Sequence, residues 1–175
     1  GFTDGFLLKL SDDGTDLMAM TFIGTVNYEQ TYFVQLDGDD NVYVIGQSRG
    51  FMPVSEDKYF NEDGKQFIQK YSNNLTELLW STVFGSGNSE IDISPSAFLV
   101  SDCNQIYVSG WGGATNNGNS AYVSGSSTAG LPITDDAFQS ETDGSDFYLM
   151  VLSPEAEDLI YATYFGGEDS NEHGD

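Results

Sequence analysis

The sequence has very few residues of the kinds that metal centres, disulfide scaffolds and catalytic triads need. Its 175 residues include one cysteine, Cys103, and one histidine, His173. A lone cysteine excludes an internal disulfide but leaves open pairing with a cysteine outside this segment, and one cysteine with one histidine does not support a zinc site. A Ser-His-Asp triad would have to use His173, which lies in an acidic stretch. We therefore predict no catalytic centre within these residues.

Basic residues and long apolar runs are also scarce. Five Lys and Arg stand against 28 Asp and Glu, a formal net charge of −23. Such a surface repels phosphate backbones, which excludes nucleic acid as a direct partner, and it disfavours anionic membranes. No run of 18 apolar residues occurs, so we predict no direct membrane insertion. The acidity itself has two open interpretations, solubility in salty surroundings or a cation-binding surface.

Glycine and aromatic residues are abundant instead. The chain has 20 Gly, 12 Phe and 10 Tyr, and 39% of its residues are hydrophobic. This is too apolar for a disordered acidic tail, and the aromatic residues favour strands. Only four prolines accompany the glycines, which indicates a folded chain with many tight turns.

One hairpin-like unit occurs three times. Its second half reads "DLMAMTFIG" (16–24), "ELLWSTVFG" (77–85) and "DLIYATYFG" (158–166). Its first half reads "DGFLLKLSDDGT" (4–15), "KQFIQKYSNNLT" (65–76) and "DFYLMVLSPEAE" (146–157). Alternating apolar positions on both sides of a Ser-containing turn predict an antiparallel hairpin in each unit.

A second kind of hairpin lies between these units. It is predicted in "YFVQLDGDDNVYVIGQS" (32–48) and "AFLVSDCNQIYVSGWG" (97–112), and a proline segment follows each, at 52–60 and 131–139. The closing glycines Gly24, Gly85 and Gly166 give unequal periods, and the extra residues lie between Gly110 and Pro132. Length variation confined to one loop of a repeat is typical of a rim loop.

The repeat predicts an all-β fold, a β-propeller built of four-stranded antiparallel blades. One four-stranded unit cannot bury both of its faces, whereas stacking near-identical units around an axis buries both. We expect about two and a half blades, part of a larger propeller. The predicted divisions are a half blade (1–24), a blade (25–85), a blade with an inserted rim loop at 111–130 (86–166), and the start of the next blade (167–175). A β-solenoid or a sandwich is the alternative.

These segments resemble the bacterial SBBP-type β-propeller repeat. The resemblance rests on "DGFLLKLSDDGTDLMAMTFIG", "DNVYVIGQS" with "MPVSEDKYF", and "DFYLMVLSPEAEDLIYATYFGG", and it covers about residues 4–166. The third unit departs from the pattern, because Met150 and Val151 stand where the first two units have Leu8-Lys9 and Gln69-Lys70, so the Lys-Leu pair is lost. The resemblance implies a large secreted or cell-surface protein of the Bacteroidota, exposed outside the outer membrane and associated with type IX secretion or gliding motility.

Two segments contain candidate ligand-binding residues. Asp37, Asp39 and Asn41 place oxygen ligands at alternate positions of a turn, as calcium prefers, but the EF-hand pattern fails and an Asp-rich hairpin tip is the alternative. We expect no other cofactor. The inserted loop contains aromatic and amide side chains that suit stacking on a sugar or peptide. These are Trp111, Asn116, Asn117, Asn119 and Tyr122. A surface loop without a ligand is the alternative.

Three functional hypotheses follow. The first is a non-catalytic propeller module that acts in adhesion, ligand binding or extracellular assembly, with an extracellular glycan or protein and the remaining blades of the same protein as partners. The second is part of a polysaccharide-acting enzyme whose catalytic residues lie outside this segment. The third is a structural spacer without a ligand.

Overall fold

The computed structural model describes residues 3–88, 90–112 and 126–167. These residues form ten strands and one short 3-10 turn, Pro154–Ala156. The strands are β1 (Gly5–Leu10), β2 (Leu17–Ile23), β3 (Glu29–Leu36), β4 (Val42–Ser48), β5 (Gln66–Tyr71), β6 (Leu78–Phe84), β7 (Ser94–Val100), β8 (Ile106–Trp111), β9 (Phe147–Leu152) and β10 (Leu159–Phe165). Within the described ranges, no helix has the length and apolar character that a membrane span requires.

The strands form one hairpin and two sheets, all antiparallel. Strands β1 and β2 form the first hairpin, β3 to β6 form the middle sheet, and β7 to β10 form the distal sheet. In both sheets each strand pairs with its neighbours in the chain, so each sheet is a four-stranded meander. The prediction of an all-β fold with four-stranded antiparallel sheets is confirmed.

The same turn closes the hairpins β1–β2, β5–β6 and β9–β10. In each, a serine hydroxyl oxygen accepts a hydrogen bond from the backbone N–H five residues later, at 3.0, 3.1 and 2.8 Å. The serines are Ser11, Ser72 and Ser153. Each serine N–H also donates to the carbonyl of that later residue. Three copies of one turn explain why the aligned segments share their serine although the residues that follow it differ.

The turn also needs a left-handed residue three positions after the serine. Gly14 supplies it in the first hairpin, with φ of 73°. Leu75 and Ala156 take its place in the sheets, with φ of 60° and 56°. A side chain in this conformation costs about 1 kcal/mol. Both side chains are buried, at 7% and 0% exposure, and this burial offsets the cost.

The middle sheet lies between the first hairpin and the distal sheet. We call the face of each sheet toward the following sheet its front and the opposite face its back. On the middle sheet, Tyr43 and Ile68 on the front pack against the distal sheet, whereas Val44 and Phe67 on the back pack against the first hairpin. All six residues of β5 are therefore buried, because successive side chains point to opposite faces and both faces are covered.

Candidate functional surfaces

A buried lysine joins the middle sheet to the distal sheet. The Nζ atom of Lys70 on β5 lies 2.6 Å from Oε1 of Glu155 and 3.1 Å from Oδ2 of Asp37. Trp80 donates its Nε1–H to the other oxygen of Glu155 at 2.8 Å, and the ammonium lies 5.0 Å from the centre of the Tyr43 ring. We call Lys70, Asp37, Glu155, Trp80 and Tyr43 the lysine cluster.

The lysine cluster keeps its charges paired. Burial opposes the charge on Lys70, but hydrogen bonds with Glu155, Tyr43 and Asp37 outweigh it and raise the pKa of Lys70 above its usual range. Burial likewise opposes ionisation of Asp37, yet hydrogen bonds from Asn41, Lys70 and the Asp39 N–H hold its pKa below the ordinary value. An ammonium with two carboxylate partners and a raised pKa cannot act as a base near neutral pH, so this arrangement joins sheets rather than moving protons.

Asp37, one of the three candidate calcium ligands, uses both of its carboxylate oxygens in hydrogen bonds and an ion pair within the protein. Oδ1 of Asp37 accepts the backbone N–H groups of Asp39 and Asn41, at 3.0 and 2.9 Å. Oδ2 accepts the Asn41 side-chain amide at 3.1 Å as well as the Lys70 ammonium. Among the described residues, no group of three or more His, Cys, Asp or Glu side chains is placed to hold a metal ion. Asp37 thus orders the β3–β4 turn, and calcium binding there stays a prediction.

Most of the inserted loop lies outside the described residues. This applies to Asn116, Asn117, Asn119 and Tyr122, whereas Trp111 is the half-buried last residue of β8, opposite Ser94 and Phe147. On the far side of the loop, the backbone N–H of Thr128 donates to the Gly144 carbonyl at 3.0 Å. Thr128 is fully buried. Recognition by the loop stays a prediction.

An acidic cavity lies at the end of β9 and β10. Its volume is about 540 Å³. Its lining residues are Gln139, Glu141, Thr142, Asp143, Asp146, Gly166 and Gly167. Asp146 is fully buried and its Oδ2 accepts the Gln139 amide at 3.1 Å, while its Oδ1 has no hydrogen-bond partner in the described part of the chain. A side chain at Gly166 would collide with this oxygen, which explains the glycine there.

Two further buried carboxylates order the chain after a closing glycine. Glu29 accepts the N–H and the hydroxyl of Thr25, both at 2.7 Å, and Asp92 accepts the N–H of Ser86 at 3.0 Å together with its hydroxyl. Burial raises the pKa of Asp92, although the hydrogen bonds from Ser86 oppose this. Sequence reasoning missed this arrangement. Its signal is a carboxylate a few residues beyond a Gly-Thr or Gly-Ser pair.

The front of the distal sheet is an apolar surface without a cover among the described residues. Leu99, Tyr107 and Leu149 are 52%, 38% and 37% exposed and line a shallow apolar hollow. In the aligned repeats, Tyr107 and Leu149 match Tyr43 and Ile68, which are fully buried on the front of the middle sheet. The distal front therefore has the residue pattern of a surface that is covered elsewhere in the same molecule.

Comparison with protein-family models and with curated proteins found no match.

In the described part of the chain, the back of the first hairpin is likewise uncovered and complements the distal front. Its large apolar side chains are 44% to 67% exposed. They are Phe6, Leu8, Met18, Met20 and Phe22. Phe6 and Phe22 match Phe67 and Val83, which are buried on the back of the middle sheet. One front and one back, each apolar, thus remain at opposite ends of the stack.

Proposed function

We propose that these residues are blades of a β-propeller of the SBBP repeat type, serving as a non-catalytic module of a secreted or cell-surface bacterial protein. One observation carries the proposal. The front of the first hairpin packs on the back of the middle sheet, and the front of the middle sheet packs on the back of the distal sheet.

A contact between unlike surfaces can be repeated without limit, and it closes into a ring when the rotation between units allows. Twisted four-stranded antiparallel sheets that stack in this way form propellers. The uncovered apolar front of the distal sheet supports further stacking, because exposed apolar patches mark interaction surfaces. We infer that another sheet of the same repeat covers it.

We further propose that the module acts in adhesion, ligand binding or extracellular assembly, with a glycan or protein outside the cell as its partner. The strong negative charge and the sequence resemblance support this setting. The inserted loop between β8 and Thr128 is the proposed recognition element, because it is the part of the repeat whose length varies.

The test is capture by glycan and extracellular-protein arrays, using the chain labelled at the exposed Cys103. A variant with two glycines in place of residues 113–125 removes the loop, while the packed residues around Thr128 remain. A Phe138→Ser variant, changed at a 76% exposed side chain, is the matched control. We expect capture by the chain and the control but not by the loop variant. If neither the chain nor the control variant is captured by any arrayed glycan or protein, the binding role is contradicted and a structural spacer is favoured.

A polysaccharide-acting enzyme is the second candidate. The acidic cavity beside Asp146 favours it, because glycosidases act through paired carboxylates. Release of reducing ends from polysaccharides on the same arrays tests this alternative. Turnover that disappears in a Glu141→Gln variant would replace the non-catalytic proposal.

A further inference from the structure

Among the described residues, one edge of strand β1 is unpaired, whereas the corresponding edges of β5 and β9 pair with a neighbouring strand. Strand β5 pairs with β4 and β6, and β9 pairs with β8 and β10. Among the described residues β1 pairs only with β2, although the hairpins β1–β2, β5–β6 and β9–β10 share the same turn. The open edge of β1 is thus the counterpart of the edges that β4 and β8 occupy. Open edges are ready templates for another strand.

A groove of about 470 Å³ lies beside this edge, lined mostly by apolar side chains. Val34 and Leu36 of β3 belong to its lining and are 53% and 55% exposed. By strand register and turn length they match Phe98 and Val100 of β7, which are 5% and 8% exposed. The distal pair is buried because β3 and β4 of the middle sheet cover it. The groove therefore continues an established interface at a position where the described residues place no strand.

The open edge also has a charge that a particular partner would complement. Lys9 on β1 matches Lys70 on β5, and Lys70 binds Asp37, the first turn residue of the hairpin paired beside it. Lys9 is exposed, and its Nζ reaches only the Asn73 carbonyl, at 3.2 Å, among the described residues. In the distal sheet both members of the pair are replaced, since Val151 stands at the lysine position and Ser101 at the aspartate position. In the two four-stranded sheets, the lysine and the turn aspartate are thus either both present or both replaced.

Sterics set a further requirement on the partner. Gly46 lies opposite Phe67, and a side chain at Gly46 would collide with that ring. Gly110 lies opposite Tyr148 in the distal sheet, and β1 has Phe6 at the matching position. By analogy with Gly46 and Phe67, a strand that pairs with β1 in the same register should have glycine opposite Phe6.

We infer that the open edge of β1 and the adjoining groove bind a β-hairpin of the β3–β4 type. Its second strand reads apolar-Tyr-Val-x-Gly, and its turn begins with an aspartate that pairs with Lys9. The inference rests on the proposed stack of four-stranded sheets for the position of the two strands. It does not depend on whether the stack captures a ligand, so the outcome of the array experiment leaves it unaffected.

The experiment titrates the 175-residue chain with a fluorescent synthetic peptide of residues 28–49 and measures anisotropy. We expect saturable binding that Leu36→Lys in the chain weakens at least about tenfold, because a charge replaces apolar contact in the groove. Leu99→Lys, a change at an equally exposed leucine on the distal front, should leave binding unchanged. A Gly46→Val peptide should not bind.

The charge requirement is tested with the chain's own alternative hairpin. A peptide of residues 93–112, which has serine at the aspartate position, should bind about threefold more weakly than the first peptide, since exposed ion pairs contribute little. Asp37→Asn in the first peptide and Lys9→Met in the chain should each lower affinity by a similar factor, and together by no more.

Three results would overturn the inference. One is equal binding of the Gly46→Val peptide, and another is a loss of binding with Leu99→Lys but not with Leu36→Lys. The third is a concentration-dependent increase in mass of the free chain that Leu36→Lys abolishes, because a second copy of the chain would then occupy the groove.

Discussion

Lys70 on β5 and Glu155 in the turn before β10 form an ion pair of 2.6 Å between residues that are 85 positions apart in the sequence. Glu155 reaches the lysine from a left-handed backbone conformation, with φ of 62°. The pair lies where the middle and distal sheets meet, so it reports directly on whether the two sheets are docked.

Replacing Lys70 tests the contribution of the lysine cluster to stability. Lys70→Met leaves the Asp37 carboxylate buried without its cation, and we expect a loss of about 2 kcal/mol in the free energy of unfolding. This value is below that of a fully buried pair because the Glu155 side chain is 40% exposed and screened by solvent. Urea titration followed by tryptophan fluorescence measures it, because Trp80 belongs to the cluster.

Lys58→Met is the matched control for Lys70→Met. Lys58 lies 3.8 Å from Glu157, whose side chain is 59% exposed. Its replacement should change the free energy of unfolding by less than about 0.5 kcal/mol. Equal losses in the two variants would contradict the role assigned to the cluster.

The acid limb of stability should depend on Asp37. Its pKa is lowered from 3.8 in the folded chain, so the folded state binds fewer protons than the unfolded state in acid. The stabilisation by Asp37 is complete well above pH 3.8, the pKa of the unfolded state. It is lost as the pH falls through the lower pKa of the folded state. The difference in unfolding free energy between the wild type and Asp37→Asn should therefore shrink from pH 6 to pH 3.

The pKa of Asp92 is shifted in the opposite direction from that of Asp37, so Asp92 serves as the comparison in the same pH titration. Its pKa is raised by burial, so its ionisation destabilises the fold as the pH rises through the folded pKa. An Asp37→Asn difference that stays constant or grows on acidification would contradict the assignment of Asp37.

Gly46 should tolerate no side chain. Gly46→Ala would place a methyl group against the Gln30 carbonyl and the Phe67 ring, and we expect a loss of about 2–3 kcal/mol. Gly38→Ala, in the turn before β4, meets nothing within 4 Å and should change stability by less than about 0.5 kcal/mol. Thermal unfolding of both variants by circular dichroism distinguishes them, and similar melting temperatures would contradict the packing.

Alanine substitutions at matched positions on the two fronts should lower the free energy of unfolding by different amounts. Ile68→Ala on the covered front of the middle sheet should lose about 3 kcal/mol, as large-to-small core substitutions do. Leu149→Ala on the uncovered distal front should lose less than about 1 kcal/mol in the 175-residue chain. If Leu149→Ala costs as much as Ile68→Ala in dilute solution, the distal front is already covered and the proposed stacking surface is wrong.

The strands and their pairing were predictable because they depend on local signals. The serine turns, the alternating apolar positions and the closing glycines lie within a few residues of one another, and turn chemistry acts over that distance. The left-handed conformations of Leu75 and Ala156 were harder to predict from the sequence. Burial maintains them, and an alignment of the repeats does not show burial.

The contacts between sheets could not be predicted from the same signals. Lys70 and Glu155 belong to different hairpins, and no sequence signal near either residue identifies the other as its partner. The turn at Asp37 resembled a metal loop because its oxygen atoms have suitable spacing, whereas the lysine and backbone donors that occupy them come partly from another strand.

The difference between front and back has a consequence for how such a chain can evolve. Duplicating or deleting a whole unit preserves the packing of an apolar front on an apolar back, because every unit carries one surface of each kind. A single substitution inside the middle sheet has no such freedom, since it must suit a different environment on each side. Changes in copy number should therefore accumulate more readily in this lineage than changes at positions such as Ile68 and Phe67.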